Sequence, residues 1–353
     1  MNFSFAKKPF LLLTISALGL LTACTETAEK IEVSPQGLQK VVANTAEKVI
    51  VINIENWQSE SVAFQQQSVK FCQSKTPIDF TGLQDRYRSL ASAWNQTIMF
   101  DFGPLRDDLF LPKIHFVEST RQRGRDYTSS IRSHIQQQLD DDKPLDAAYF
   151  SKLKFTLTGM PVFEQLLFAE PTEKQLTTYE NPRMCQLLKG YAEYNKTIAD
   201  YVLTGWKKAE AGTAPYLQQF SVDQLEDGEP AINRLLLAMQ DYLRYIWHRK
   251  LKKTMLEAPS GMDYKNLQTG LETVAKVFYA NGSTHSLANY LQASNNQALV
   301  DKFKARYAIA HATIQQKDLN NLKKDYKALI EMFEKEIPKA LGVDLGINFA
   351  DGD

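Results

Sequence analysis

The chain has little of what usually announces catalysis. It holds three cysteines and five histidines. None of the histidines (His115, His134, His248, His285, His311) is followed by glutamate, which excludes the HExxH zinc-protease helix. No two of them are spaced to share one turn of a helix. The absence of a CxxC pair or Cys/His cluster argues against a thiolate metal site, and neither a GxSxG elbow nor a glycine-rich phosphate loop occurs. An excess of one charge is missing as well, since 41 basic residues face 41 acidic ones. Such a chain lacks the basic field that nucleic acid or an anionic membrane surface requires. Alternation with period two is absent, which excludes a substantial sheet.

What is present begins at the N-terminus. Lys7 and Lys8 precede an apolar, uncharged run of 11 residues from Phe10 to Leu20, too short to span a bilayer as a mature helix. Leu21-Thr22-Ala23-Cys24 then resembles the lipobox of bacterial lipoproteins, in which the thiol is acylated and becomes the new N-terminus. The expectation is a signal peptide over 1–23, an anchor linker over 24–33, and attachment to membrane lipid through Cys24. Thr25 after the cysteine favours the periplasmic side of the outer membrane. Removing residues 1–23 leaves 39 basic and 41 acidic residues, a formal charge of −2. Cys72 and Cys185 remain. In an oxidising compartment they read as a disulfide, or else as two buried thiols.

The mature chain reads as helical throughout. Ser34-Pro35 is an N-cap followed by proline at the first helical position, opening a long helix to about Cys72. Leu83, Tyr87, Leu90 and Trp94 mark a second helix, and DFGPLRDDLFLP from Asp101 reads as a breaker-rich loop. Leu187, Tyr191, Tyr194, Ile198 and Val202 fall on one helical face. So do Ile232, Leu235, Leu236, Met239, Tyr242, Leu243 and Ile246, in a helix expected to reach about Leu256. Shorter helices follow near 264–279, 284–294 and 296–314, and a last one runs from Leu319 until Pro338 and Gly342 end it. Gly212, Pro215, Gly228 and Pro230 make 211–230 the best linker. The predicted fold is therefore all-α, two packed helical bundles over 34–210 and 231–353.

Few residues point to chemistry. The arginines at 121, 123 and 125, around Gly124, could hold an anion or be solvated charge, and His248 reads as part of a solvated, basic helix face. Glu164 stands out within Gly159-Met160-Pro161-Val162-Phe163-Glu164-Gln165-Leu166-Leu167-Phe168. It either lies on the exposed side of a short helix or is buried, and then needs a partner or a raised pKa.

This segment resembles the GxHxxE region of the imelysin family, with Gly159 and Glu164 in place and Pro161 where the histidine would stand. KFCQSKTPIDFTGLQDRYRSLASAWNQTIMFDFGPL (70–105), NPRMCQLL from Asn181 and the ending GVDLGINFADGD (342–353) are similar to further family segments, in the expected order. The resemblance implies two helical bundles with the motif near the cleft between them, and an envelope protein linked to iron-regulated uptake. Imelysins were classed as metallopeptidases with the motif histidine and glutamate as suspected ligands, which makes iron or another divalent metal the implied cofactor. Proline cannot ligate through its side chain, so Glu164 remains, with Asp351 and Asp353 as candidate ligands if the tail folds back. Gly159, Pro161, Glu164, Trp94, Phe102 and Gly103 are the candidate ligand-binding residues, although core packing accounts equally well for the aromatics. The expectation is a non-enzymatic protein that binds a ligand or an iron-uptake envelope partner in the cleft. A metallopeptidase completed by distant residues and an envelope scaffold are the alternatives.

Overall fold

A computed structural model of the chain describes residues 31–106, 121–122, 125–209, 212–251, 256 and 258–345. The expected signal peptide, Cys24, His115, Arg123, Asp351 and Asp353 lie outside the described residues.

Ser34 caps the first helix as its sequence predicts, its hydroxyl accepting from Gly37 N at 3.1 Å. Helix α1 (Pro35–Thr45) passes through a π turn (Ala46–Ile50) into α2 (Val51–Ser74). Left-handed Lys75 stops it, and Thr76 then caps α3 (Pro77–Thr97), accepting from Asp79 N at 3.2 Å. Short 3-10 turns occupy Ile98–Phe100 and Gly103–Arg106, in the breaker-rich stretch. A two-residue antiparallel ladder pairs Arg121–Gln122 with Arg125–Asp126. Then come α4 (Thr128–Asp140), α5 (Ala147–Ser151), α6 (Met160–Phe168), α7 (Thr172–Thr178) and α8 (Pro182–Lys207). In α8 the expected face is the buried one: Leu187, Tyr191, Ile198 and Val202 are inside, and Tyr194 is half-buried.

The second half holds α9 (Tyr216–Ser221), α10 (Ala231–Tyr245) with a π turn to Leu251, α11 (Asp263–Tyr279), α12 (Leu287–Ala293), α13 (Gln297–Gln316) and α14 (Leu319–Glu331). A further π turn (Met332–Glu336) leads into α15 (Ile337–Leu341), closed by left-handed Gly342. Pro338 was expected to end this helix and instead sits in its last short segment. The preceding π turn widens the helix where the ring would otherwise meet a carbonyl one turn back. The α10 helix is described as far as Leu251, and Leu256 is not helical.

The protein is all-α. In the first half α2 packs on α3 and α8; in the second α13 packs on α14 and α11. The opening helix crosses this division. Its α1 segment lies against α9, α10 and α12 while α2 continues into the first bundle, and α3 packs on α11. One contiguous apolar core runs from Leu38 to Leu341 in consequence. Cys72 on α2 is bonded to Cys185 on α8, with Cα atoms 5.6 Å apart, which decides for the disulfide over two free thiols. No helix among the described residues is long and apolar enough to cross a membrane.

Candidate functional site

Helix α6 is nine residues long and almost wholly buried from Met160 to Leu167. Its entry depends on Gly159, whose φ of 81° and ψ of −165° fall in a region open essentially to glycine alone. Pro161 then occupies the first turn, where its missing N–H costs nothing. Buried amides and a phenol hold the other end. Gln84 donates to Leu167 O, and Gln175 and Tyr179 both donate to Leu166 O, each at 2.8 Å. Placing a side chain at Gly159 should strain this entry, and Gly159→Ala should cost about 1–3 kcal/mol in urea unfolding.

Glu164 is 9% exposed, so the reading of an exposed carboxylate on a short helix does not hold. Its Oε1 accepts from the Tyr87 hydroxyl at 2.7 Å and from Ser260 Oγ at 2.6 Å, and its Oε2 accepts from Ser260 N at 2.7 Å. Tyr87 comes from α3 in the first half. Ser260 lies in the turn ahead of α11 in the second, where Gly261 N donates back to Ala258 O and Asp263 caps Ala258 N. The carboxylate thus ties the two halves together. Burial pushes its pKa above the usual glutamate range against the pull of the Ser260 and Tyr87 hydrogen bonds, and nearby Asp263 adds to the rise.

The other expected site residues lie apart from it. Trp94 is fully buried against Trp57, ring centroids 4.8 Å apart, and belongs to the core. Phe102 stacks on Phe220 at 5.3 Å and contacts Trp206. Gly103, at φ +55°, lies so close to Tyr216 that a Cβ would meet its ring at 2.6 Å. Phe102 and Gly103 do line a cavity of about 610 Å³ at the junction of the halves, together with Arg106, Lys208, Tyr216 and Arg234. Glu164 is not in its lining. Sequence reasoning missed Ser260, Arg106, Tyr216 and Arg234. Ser260 is 96 positions from Glu164, and nothing local marks a serine in a Pro-Ser-Gly turn as the partner of a distant carboxylate.

Tests of the implied metal give a poor fit. Pro161 offers no donor, Glu164 has both oxygens engaged by three protein donors, and among the described residues no three His, Cys, Asp or Glu side chains converge. A site built on Glu164 would have to break a buried hydrogen-bonded arrangement, and one carboxylate falls short of the three protein ligands typical of zinc.

The family model described as Imelysin matches residues 52–336, and the chain belongs to that family. Among solved structures, it resembles an imelysin-like protein from Psychrobacter arcticum 273-4 (TM-score 0.71, 15% identity), covering 90% of this chain and 99% of that one. It also resembles a putative iron-regulated protein A precursor from Parabacteroides distasonis ATCC 8503 (TM-score 0.67, 13% identity), over 90% of this chain and 97% of the other. No curated protein matches the sequence.

Proposed function

We propose that this imelysin-family protein serves iron acquisition as a lipid-anchored, non-enzymatic binding protein. It would be held by Cys24 on the periplasmic side of the outer membrane and would bind a ligand or an envelope partner in the cleft between its halves. The observation that carries the reading is the division of labour in the structure. The motif carboxylate is spent on fastening the halves together, while a separate cavity at their junction, floored by Phe102 and Gly103, supplies the space a ligand needs. Its size falls within the range of small-molecule sites. The iron link is supported by family membership and by the description of one structural relative as iron-regulated.

Deleting the gene should slow growth and iron uptake under iron limitation, with recovery on expressing the wild-type chain and poor recovery with Cys24→Ser. Growth and uptake equal to the parent strain would overturn the role in iron acquisition. Metal-dependent cleavage of a peptide library by the purified protein, abolished in Glu164→Gln, would overturn its non-enzymatic part.

A further inference from the structure

Resting on that reading, we infer that the junction cavity takes iron as an anionic chelate, a ferric ion wrapped by hydroxycarboxylate or catecholate oxygens, and not as the bare cation. The charge on the walls is the first reason. Arg106, Lys208 and Arg234 line the cavity with Glu226 and Asp227. Arg234 is already paired with Asp227. Among the described residues neither Arg106 nor Lys208 has a carboxylate partner, and the described lining of this cavity carries three cations against two acids. A bare metal ion entering here meets net repulsion, whereas a polyanion is drawn in.

The second reason is shape. Phe102 and Tyr216 form a wall backed by Trp206 and Phe220, a rigid face for a flat ring. An adjoining cavity of about 340 Å³ shares Phe102, Arg106 and Arg234 but carries Asp101 and Asp241, which leaves the larger cavity as the place for an anion.

The test is titration calorimetry of the full mature chain with ferric citrate, the ferric complex of 2,3-dihydroxybenzoate, iron-free citrate and ferrous ion. The titrations are repeated on Arg106→Ala/Lys208→Ala and on Lys174→Ala, an exposed lysine paired with Glu170 outside this cavity. Circular dichroism establishes that each variant is folded. The inference expects saturable binding of at least one ferric chelate, weakened about tenfold or more in the double variant, unchanged in Lys174→Ala, and falling as salt rises. Failure of both chelates to bind the wild-type chain, or equal binding by the double variant, overturns it. Saturable binding of ferrous ion that ignores the Arg106 and Lys208 changes overturns the chelate while leaving the iron-linked reading in place. That reading itself fails only in the deletion strain.

Discussion

Glu164→Gln should be at least as stable as the wild-type protein at neutral pH, and Glu164→Ala should be less stable by about 2–4 kcal/mol. The glutamine keeps the shape and can satisfy the site. Its carbonyl can accept from Ser260 N while its amide donates to the Ser260 and Tyr87 hydroxyls, both of which can accept. Alanine leaves Ser260 N without its acceptor in a buried place and opens a void. Tyr87 suffers less, because its hydroxyl has Met160 O at 3.4 Å as a second acceptor. The two variants should also separate by pH. The folded-state pKa of Glu164 is raised by burial, so in the window above the ordinary glutamate value the folded chain holds a proton that the unfolded chain has lost. Stability from this group is complete below the unfolded pKa and is lost as pH rises through the folded one. Wild type should therefore lose stability relative to Glu164→Gln across that window and run parallel above it. Urea unfolding at a series of pH values reads the difference directly. A Glu164→Ala protein as stable as wild type would show that the carboxylate fastens nothing.

Replacing Cys72 and Cys185 together by serine should cost about 4–5 kcal/mol in the chain-entropy model, because the bridge closes a separation of 113 residues. For a chain of this size that corresponds to a fall in Tm of about 5–8 °C. The enclosed loop contains α3 and α6, and so both Tyr87 and Glu164. The double variant should consequently show faster amide exchange in α6 as well as lower global stability. Scanning calorimetry with and without reductant gives the magnitude, and an unchanged Tm on reduction would mean the bridge is not holding this loop. The two effects share one region, so combining Glu164→Ala with loss of the bridge is expected to depart from additivity.

Much of the local structure was legible because it is written in nearest neighbours along the chain. Ser34-Pro35 caps a helix where it stands, and the apolar spacing of α8 and α10 gave the faces that are buried. Gly342 closes the last helix as its position indicates, whereas Pro338 falls inside the final segment, after a π turn that no residue pattern announces. The candidate site was legible only in part. Gly159, Pro161 and Glu164 share one short helix, so sequence could group them. Trp94, an equally plausible cleft residue by type, packs on Trp57 in the core.

By itself, then, the sequence determined an all-helical chain, the positions of several helix ends, a cysteine pair able to bridge, and the weakness of the motif as a metal site, since proline has no donor. These follow from side-chain chemistry and from spacings of a few residues, which the backbone converts into faces and caps without help. Only the tertiary structure decided that α1 packs on α9, α10 and α12 while α2 enters the first bundle, and that Glu164 faces Ser260 across 96 positions. It alone brought Arg106, Lys208 and Arg234 to one cavity with Phe102 and Gly103. Those outcomes depend on which helix faces meet, and that is fixed by burying one shared apolar core, a sum over the whole chain that no local segment records.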